Sequence, residues 1–262
     1  MKYTIIDSHT HVYPDKIAQK AADSIGQFYD ISMNLDGSVS TLLRVMEESG
    51  VSKSLICSAA LTADRAPNIN NFIAATVQAH PDKLMGLMTL HPDMEDPQAE
   101  VERAMAMGLK GVKLHPDMQK FALDDPICDK MYAACEGVCP MLLHTGDKRY
   151  RYSNPDMIPR VLKKFPNLTL ICAHMGGFSE WEAAARCLAD THVYVDCSSS
   201  FFALEKEKVL ELFDLFGEDR ILFGSDYPMW HMKDEINTLL SLGLSDTALN
   251  KIFSGNILKI LP

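Results

Sequence analysis

Eight times along this chain a short apolar run, stopped by polar residues or by Gly and Pro, gives way to a longer stretch with apolar residues three and four apart. The runs are TIIDSHTHV (Thr4 to Val12), SLICSAAL (from Ser54), LMGLMTLHP (from Leu84), GVKLHP (from Gly111), PMLLHTG (from Pro140), LTLICAHMGG (from Leu168), VYVDCSSS (from Val193) and ILFGSDYP (from Ile221). Short runs rich in apolar and β-branched residues read as strands. The stretches between them, such as STLLRVMEESG, NINNFIAATVQAH, PQAEVERAMAMG and KVLELFDLFG, read as amphipathic helices. Strict β-then-α alternation predicts a parallel sheet, and eight units in 262 residues predict closure into an α/β (β/α)8 barrel. The competing open, doubly wound sheet would carry a Gly-rich phosphate loop after its first strand, where HTHVYPDK stands instead. With no linker or low-complexity tract, residues 1–262 are expected to form one domain. DEINTLLSLG completes the helical ring and DTALNKIFSGNILKIL packs on its outside.

Composition narrows the partners. A chain with 47% hydrophobic and 23% charged residues can bury a sizeable core, and a net charge of -10 with no Lys/Arg stripe repels phosphate backbones, which excludes nucleic acid. No apolar run reaches the length of a membrane span, and the opening MKYTIIDSH shows no apolar segment behind a basic start. Seven cysteines scattered through strand and helix patterns read as reduced core thiols, so the expectation is a cytoplasmic protein with a small-molecule partner and a homodimeric assembly.

The informative polar residues fall at the ends of the strands, where barrel enzymes place their chemistry. His9 and His11 end the first, His91 the third, Lys113 and His115 the fourth, His144 the fifth, His174 the sixth and Asp226 the eighth. Any one of these histidines alone reads as a hydrogen-bonded rim residue. Imidazoles and a carboxylate converging together read as an open catalytic metal site. Strand alternation puts Asp7, His9 and His11 on one face, with Ile6, Ser8 and Thr10 on the other. Asp7 then either orients a ligand imidazole or braces the backbone beneath the site.

In this order the residues resemble the amidohydrolase superfamily, in the branch that includes aminocarboxymuconate-semialdehyde decarboxylase and the resorcylate decarboxylases. The likeness spans the whole chain: His9-x-His11, the fourth-strand phrase GVKLHP, His144, His174 and Asp226. It implies one divalent metal ion, with zinc expected, held by His9, His11, His144 and Asp226 together with a water. Catalysis would fall to Asp226, which takes that water's proton, and to His174, which orients the water or polarises a substrate carbonyl. Lys113 is a carboxylated bridge between two metals in related barrels and no ligand in the decarboxylase-like branch.

Loops after the strands should choose the substrate. Lys148, Arg149 and Arg151 in GDKRYRYSNP, Arg65 in TADRAPN, and Trp230 with His231 after the eighth strand form either a carboxylate-binding group or a solvated surface. The leading expectation is a metal-dependent hydrolase of a small, carboxylate-bearing molecule through metal-activated water. The alternative is a non-oxidative decarboxylase on the same site, and a non-catalytic barrel that has kept the site is a third.

Overall fold

A computed structural model of the protein describes residues 2–33 and 35–262. Strand β1 (Ile6–His11) pairs in parallel with β2 (Lys53–Cys57), and β2 pairs with the first half of β3 (Leu84–Gly86). The second half of β3 (Met88–Thr89) continues through β4 (Val112–Leu114), β5 (Met141–Leu143), β6 (Leu170–Cys172), β7 (Tyr194–Asp196) and β8 (Ile221–Leu222), every pair parallel. At the break in β3 the Leu87 N–H donates to the Ile56 carbonyl and the Met88 N–H to the Gly111 carbonyl, so the strand is handed from one neighbour to the other. Across the seam, the Ser8 N–H reaches the Phe223 carbonyl and the His11 N–H reaches the Tyr227 carbonyl at 2.7 Å. The expected (β/α)8 barrel is closed.

Inside it, Ile6, Leu55, Leu87, Leu142, Ile171 and Leu222 form one apolar layer. Alternate residues such as Val112, Leu114, Met141, Leu143, Leu170 and Val195 point outward into a larger core shared with the helices. Toward the C-terminal ends of the strands the interior turns polar, because Lys113 and Asp196 take the inward parity there, both fully buried.

Three features depart from the sequence reading. Asp7 pairs with Ser54 but Thr10 with Ile56, which leaves one extra residue in β1. That bulge lets Ile6 and His9 both face inward, although strict alternation put them on opposite faces. The first connection holds a helix, α1 (Ala18–Tyr29), that the apolar spacing did not reveal. Its buried face is made only of Ala18, Ala22 and Gly26, too small to register as a hydrophobic stripe. The C-terminal segment forms three pieces, Asp246–Asn250, a π-helical turn Lys251–Gly255, and Asn256–Ile260, and packs Ile257, Ile260 and Leu261 against the barrel's inner layer instead of on the outer ring. Among the described residues no helix is long and apolar enough to cross a membrane, and all seven cysteines are unpaired.

Candidate active site

Three of the four expected metal ligands meet. His9 Nε2 and His11 Nε2 are 3.1 Å apart, and Asp226 Oδ1 lies 3.5 Å from the first and 3.4 Å from the second. Donor atoms about 2.0–2.1 Å from a tetrahedral ion sit about 3.3 Å from one another, so this trio fits a divalent cation in both chemistry and spacing. Asp226 is brought there by left-handed backbone at φ 59°, as are His174 at 60° and Ser199 at 47°. Non-glycine residues in this region carry strain of about 1–3 kcal/mol each, held here by surrounding bonds. The Asp226 N–H donates to the His9 carbonyl at 2.9 Å, and Ser199 Oγ donates to Asp226 Oδ2 at 2.7 Å.

The residue that orients His9 is Asp196, which the sequence reading missed. Its Oδ2 accepts the His9 Nδ1 hydrogen at 3.0 Å, and its Oδ1 accepts the backbone N–H groups of His174 and Ser198. Burial works against its charge, but His9, His174 and Ser198 hold it down to about 2. The signal was available, since Asp196 ends β7 at inward parity in VYVDCSSS. Asp7 proves to be the backbone brace: its Oδ1 accepts the N–H of His9 at 3.1 Å and of Ser225 at 3.0 Å. Burial pushes Asp7 up to about 7, and its Oδ2 has no partner.

With its Nδ1 hydrogen on Asp196, His9 turns an Nε2 lone pair inward. Lys113 Nζ donates to it at 2.8 Å. Burial and then Lys113 lower His9 to about 4, and burial lowers Lys113 itself. For His11, burial opposes charge, yet Cys57 and Asp226 outweigh it and raise the ring to about 9. Asp226 is held well below the usual carboxylate range by His9, His11 and His174 against the cost of burial. The centre of the trio therefore favours positive charge.

His144 stands apart from the trio. Its Nδ1 meets His174 Nε2 at 3.0 Å, and its Nε2 faces the Tyr29 hydroxyl at 3.4 Å. Its ring stacks on His115, with centroids 4.2 Å apart and planes 7° from parallel. Asp117 Oδ2, at 3.7 Å from His144 Nε2, is beyond hydrogen-bond reach, and burial pushes Asp117 up to about 7. The glycine of LLHTG lies against the backbone of the CAHMGG loop, while the two glycines of CAHMGG make room for Glu180, Ala184 and Leu188 of the segment that follows them. A Cβ on Gly146, whose φ is +81°, would lie 2.4 Å from Gly177 Cα.

The remaining sequence candidates divide by position. Lys113, His115 and Arg65 line a cavity of about 630 Å³ above the trio, together with His144, His174 and apolar groups from α1 and the loop after β2. Arg149 is not free for substrate: it pairs with Asp147, donates to the Phe28 carbonyl and lies over the Phe28, Tyr29 and Tyr150 rings. Lys148 and Arg151 do not line the cavity. His91 and His231 accept backbone N–H bonds from Asp93 and Lys233, and Trp230 donates to Ser199 Oγ; all three lie outside the cavity wall.

Known structures share this architecture. An uncharacterized TIM-barrel protein from Bordetella bronchiseptica superposes with a TM-score of 0.78 at 22% identity, over 98% of both chains. A 2,6-dihydroxybenzoate decarboxylase from Rhizobium gives 0.74 at 16% identity, again over 98% of both. A 5-carboxyvanillate decarboxylase from Novosphingobium aromaticivorans, complexed with manganese and 4-hydroxy-3-methoxy-5-nitrobenzoic acid, gives 0.74 at 18% identity, over 98% of this chain and 95% of that one. The sequence profile of the amidohydrolase family matches residues 6–262, from the first residue of β1 to the last of the chain, and the protein belongs to that family.

Proposed function

We propose that the protein is a divalent-metal-dependent, non-oxidative decarboxylase of a small carboxylate-bearing molecule, with residues 1–262 forming one catalytic barrel in the cytoplasm. The observation that carries this reading is the His9–His11–Asp226 trio on the floor of a cavity of about 630 Å³ with largely apolar walls. Such a space suits a compact apolar body with its carboxylate directed at the floor. The neighbours named as decarboxylases, one of them with manganese, support this reading ahead of the hydrolase that the sequence put first.

One ion would be held by His9, His11 and Asp226, with His144 as a fourth donor once its Nε2 is free. Zinc or manganese suits imidazole and carboxylate donors. When bound, the ion supplies Lewis acidity toward ligand oxygens. The chain's own groups do the rest. Decarboxylation breaks a carbon–carbon bond, releases carbon dioxide and leaves a carbon that must take up a proton. Asp226, held as a carboxylate by the imidazoles around it, accepts a proton from an acidic hydroxyl of the ligand or from solvent and delivers it to that carbon. His174, stacked over His9 with centroids 5.2 Å apart, forms part of the cavity wall beside the trio, its ring nitrogens engaged by Ser198 and His144. Apolar walls exclude water from the reacting carbon.

Hydrolysis is the second reading, favoured by the same carboxylate: Asp226 Oδ1 is equally placed to take the proton of an attacking water. Metal-loaded protein should be offered hydroxybenzoates, enoic acids, lactones and amides, with carbon dioxide release and water consumption followed separately. Metal-dependent carbon dioxide release is the expected result. Turnover of lactones or amides without it would overturn the decarboxylase. The assembly we propose, a homodimer, is checked by light scattering.

A further inference from the structure

Backbone groups fix the hydrogen-bond directions around His144 from both ends. At one end the Met118 N–H is shared between the His115 carbonyl at 3.1 Å and His115 Nδ1 at 3.4 Å, so Nδ1 faces a donor. The neutral His115 ring then carries its hydrogen on Nε2 and donates it to the Tyr29 hydroxyl oxygen at 2.8 Å. At the other end His174 Nδ1 faces two acceptors of Ser198: the carbonyl oxygen at 3.1 Å, and Oγ at 3.0 Å, whose own hydrogen goes to Asp196 Oδ1. His174 therefore holds its hydrogen on Nδ1 and accepts at Nε2 from His144 Nδ1, 3.0 Å away. His144 Nε2 is left as a lone pair. The hydrogen that faces it belongs to the Tyr29 hydroxyl.

Tyr29 reaches this point on α1, which the barrel itself does not need. It is the last residue of that helix, and Asp30 follows in left-handed backbone at φ 56°. Arg149 donates to the neighbouring Phe28 carbonyl and covers the Phe28 and Tyr29 rings, while Phe178 packs against the phenol edge with centroids 5.0 Å apart. The phenol is thus rigidly mounted in the cavity wall. Its oxygen is occupied by His115 and its one hydrogen is the only thing it has to give.

We propose that Tyr29 is a ligand-binding residue: its hydroxyl donates to His144 Nε2 while that nitrogen is free, and to an oxygen of the bound small molecule once that nitrogen is engaged. The proposal rests on the metal-dependent reading above. Because the group offered is a donor, the ligand atom it selects is an acceptor, best a carboxylate or phenolate oxygen. His115 keeps the phenol oxygen in place in both states, which makes it a positioning residue for Tyr29.

The test compares wild type with Tyr29→Phe, both loaded with manganese, by elemental analysis and by calorimetric titration with salicylate. The expected result is unchanged manganese content with salicylate affinity lowered about tenfold or more in the variant, the size of a lost hydrogen bond to a charged group. Equal affinity in the two proteins, or no salicylate binding by loaded wild type, overturns the proposal. If wild type takes up no metal, the metal-dependent reading has failed instead, and nitrogen-15 spectra of the unloaded protein still decide the hydrogen-bond chain. They should show His115 protonated at Nε2 and both His144 and His174 protonated at Nδ1; any other assignment overturns it.

Discussion

Asp196 Oδ2 accepts the Nδ1 hydrogen of His9 at 3.0 Å between two fully buried side chains, and this contact decides which nitrogen of His9 faces the cavity. Partners of this kind set the tautomer and basicity of a ligand imidazole. Asp196→Asn removes the charge while keeping the shape. Metal affinity should fall about 10- to 100-fold with the fold retained, as read by competition with a chelator. Wild-type affinity in the variant would sink the assignment of His9 as a ligand.

Lys113 is tied to the same nitrogen from the other side, with Nζ 2.8 Å from His9 Nε2 and no carboxylate partner among the described residues. It competes with an ion for that lone pair. Lys113→Met should therefore keep about one equivalent of metal and bind it at least as tightly as wild type. A variant that loses its metal on purification would show that Lys113 is a ligand.

The close approach of the two histidine loops predicts a stability effect. At Gly146 a methyl group meets the Gly177 backbone at 2.4 Å, and the φ of +81° is itself unfavourable for alanine. Gly146→Ala should cost about 3 kcal/mol or more in urea unfolding, because neither the backbone contact nor the dihedral can relax cheaply. A loss below about 1 kcal/mol would show that the loops separate easily.

Glu235 offers a pH test on a group that is not itself a member of the metal trio. It is buried with Oε2 unpartnered, and burial, with Asp7 and Asp226 adding to it, raises its carboxyl to about 8 from 4.5. The folded state therefore binds this proton more tightly than the unfolded chain. That contribution is complete below about pH 4.5 and is lost as the pH rises through about 8. Glu235→Gln, which mimics the protonated acid, should gain on the order of 1–3 kcal/mol near pH 9, shrinking toward nothing near pH 4. A gain that does not vary with pH would mean that Glu235 is not the titrating group.

Much of the site was legible because barrel topology converts position in the chain into position in space. His9 and His11 lie at the end of the first strand and Asp226 in the loop after the eighth, and those strands are neighbours only because the barrel closes, as the hydrogen bond from the Asp226 N–H to the His9 carbonyl shows. The rest needed contacts between distant residues. Asp196 stands at a strand end, yet its role is a bond to a residue 187 positions away. Arg149 looked available for substrate, yet a carboxylate two residues before it and the carbonyl of Phe28 consume its donors. α1 was hidden because alanine and glycine form its buried face.

The sequence by itself determined the eight-unit alternation, hence the parallel barrel, and the set of imidazole and carboxylate groups at its strand ends, since periodicity and punctuation are local properties of the chain. Only the tertiary structure decided which of those groups meet. A one-residue bulge in β1, left-handed backbone at Asp226 and His174, and the glycine contact between two loops aim the side chains. That aim depends on packing and on hydrogen bonds between segments far apart in the chain, which no local pattern encodes.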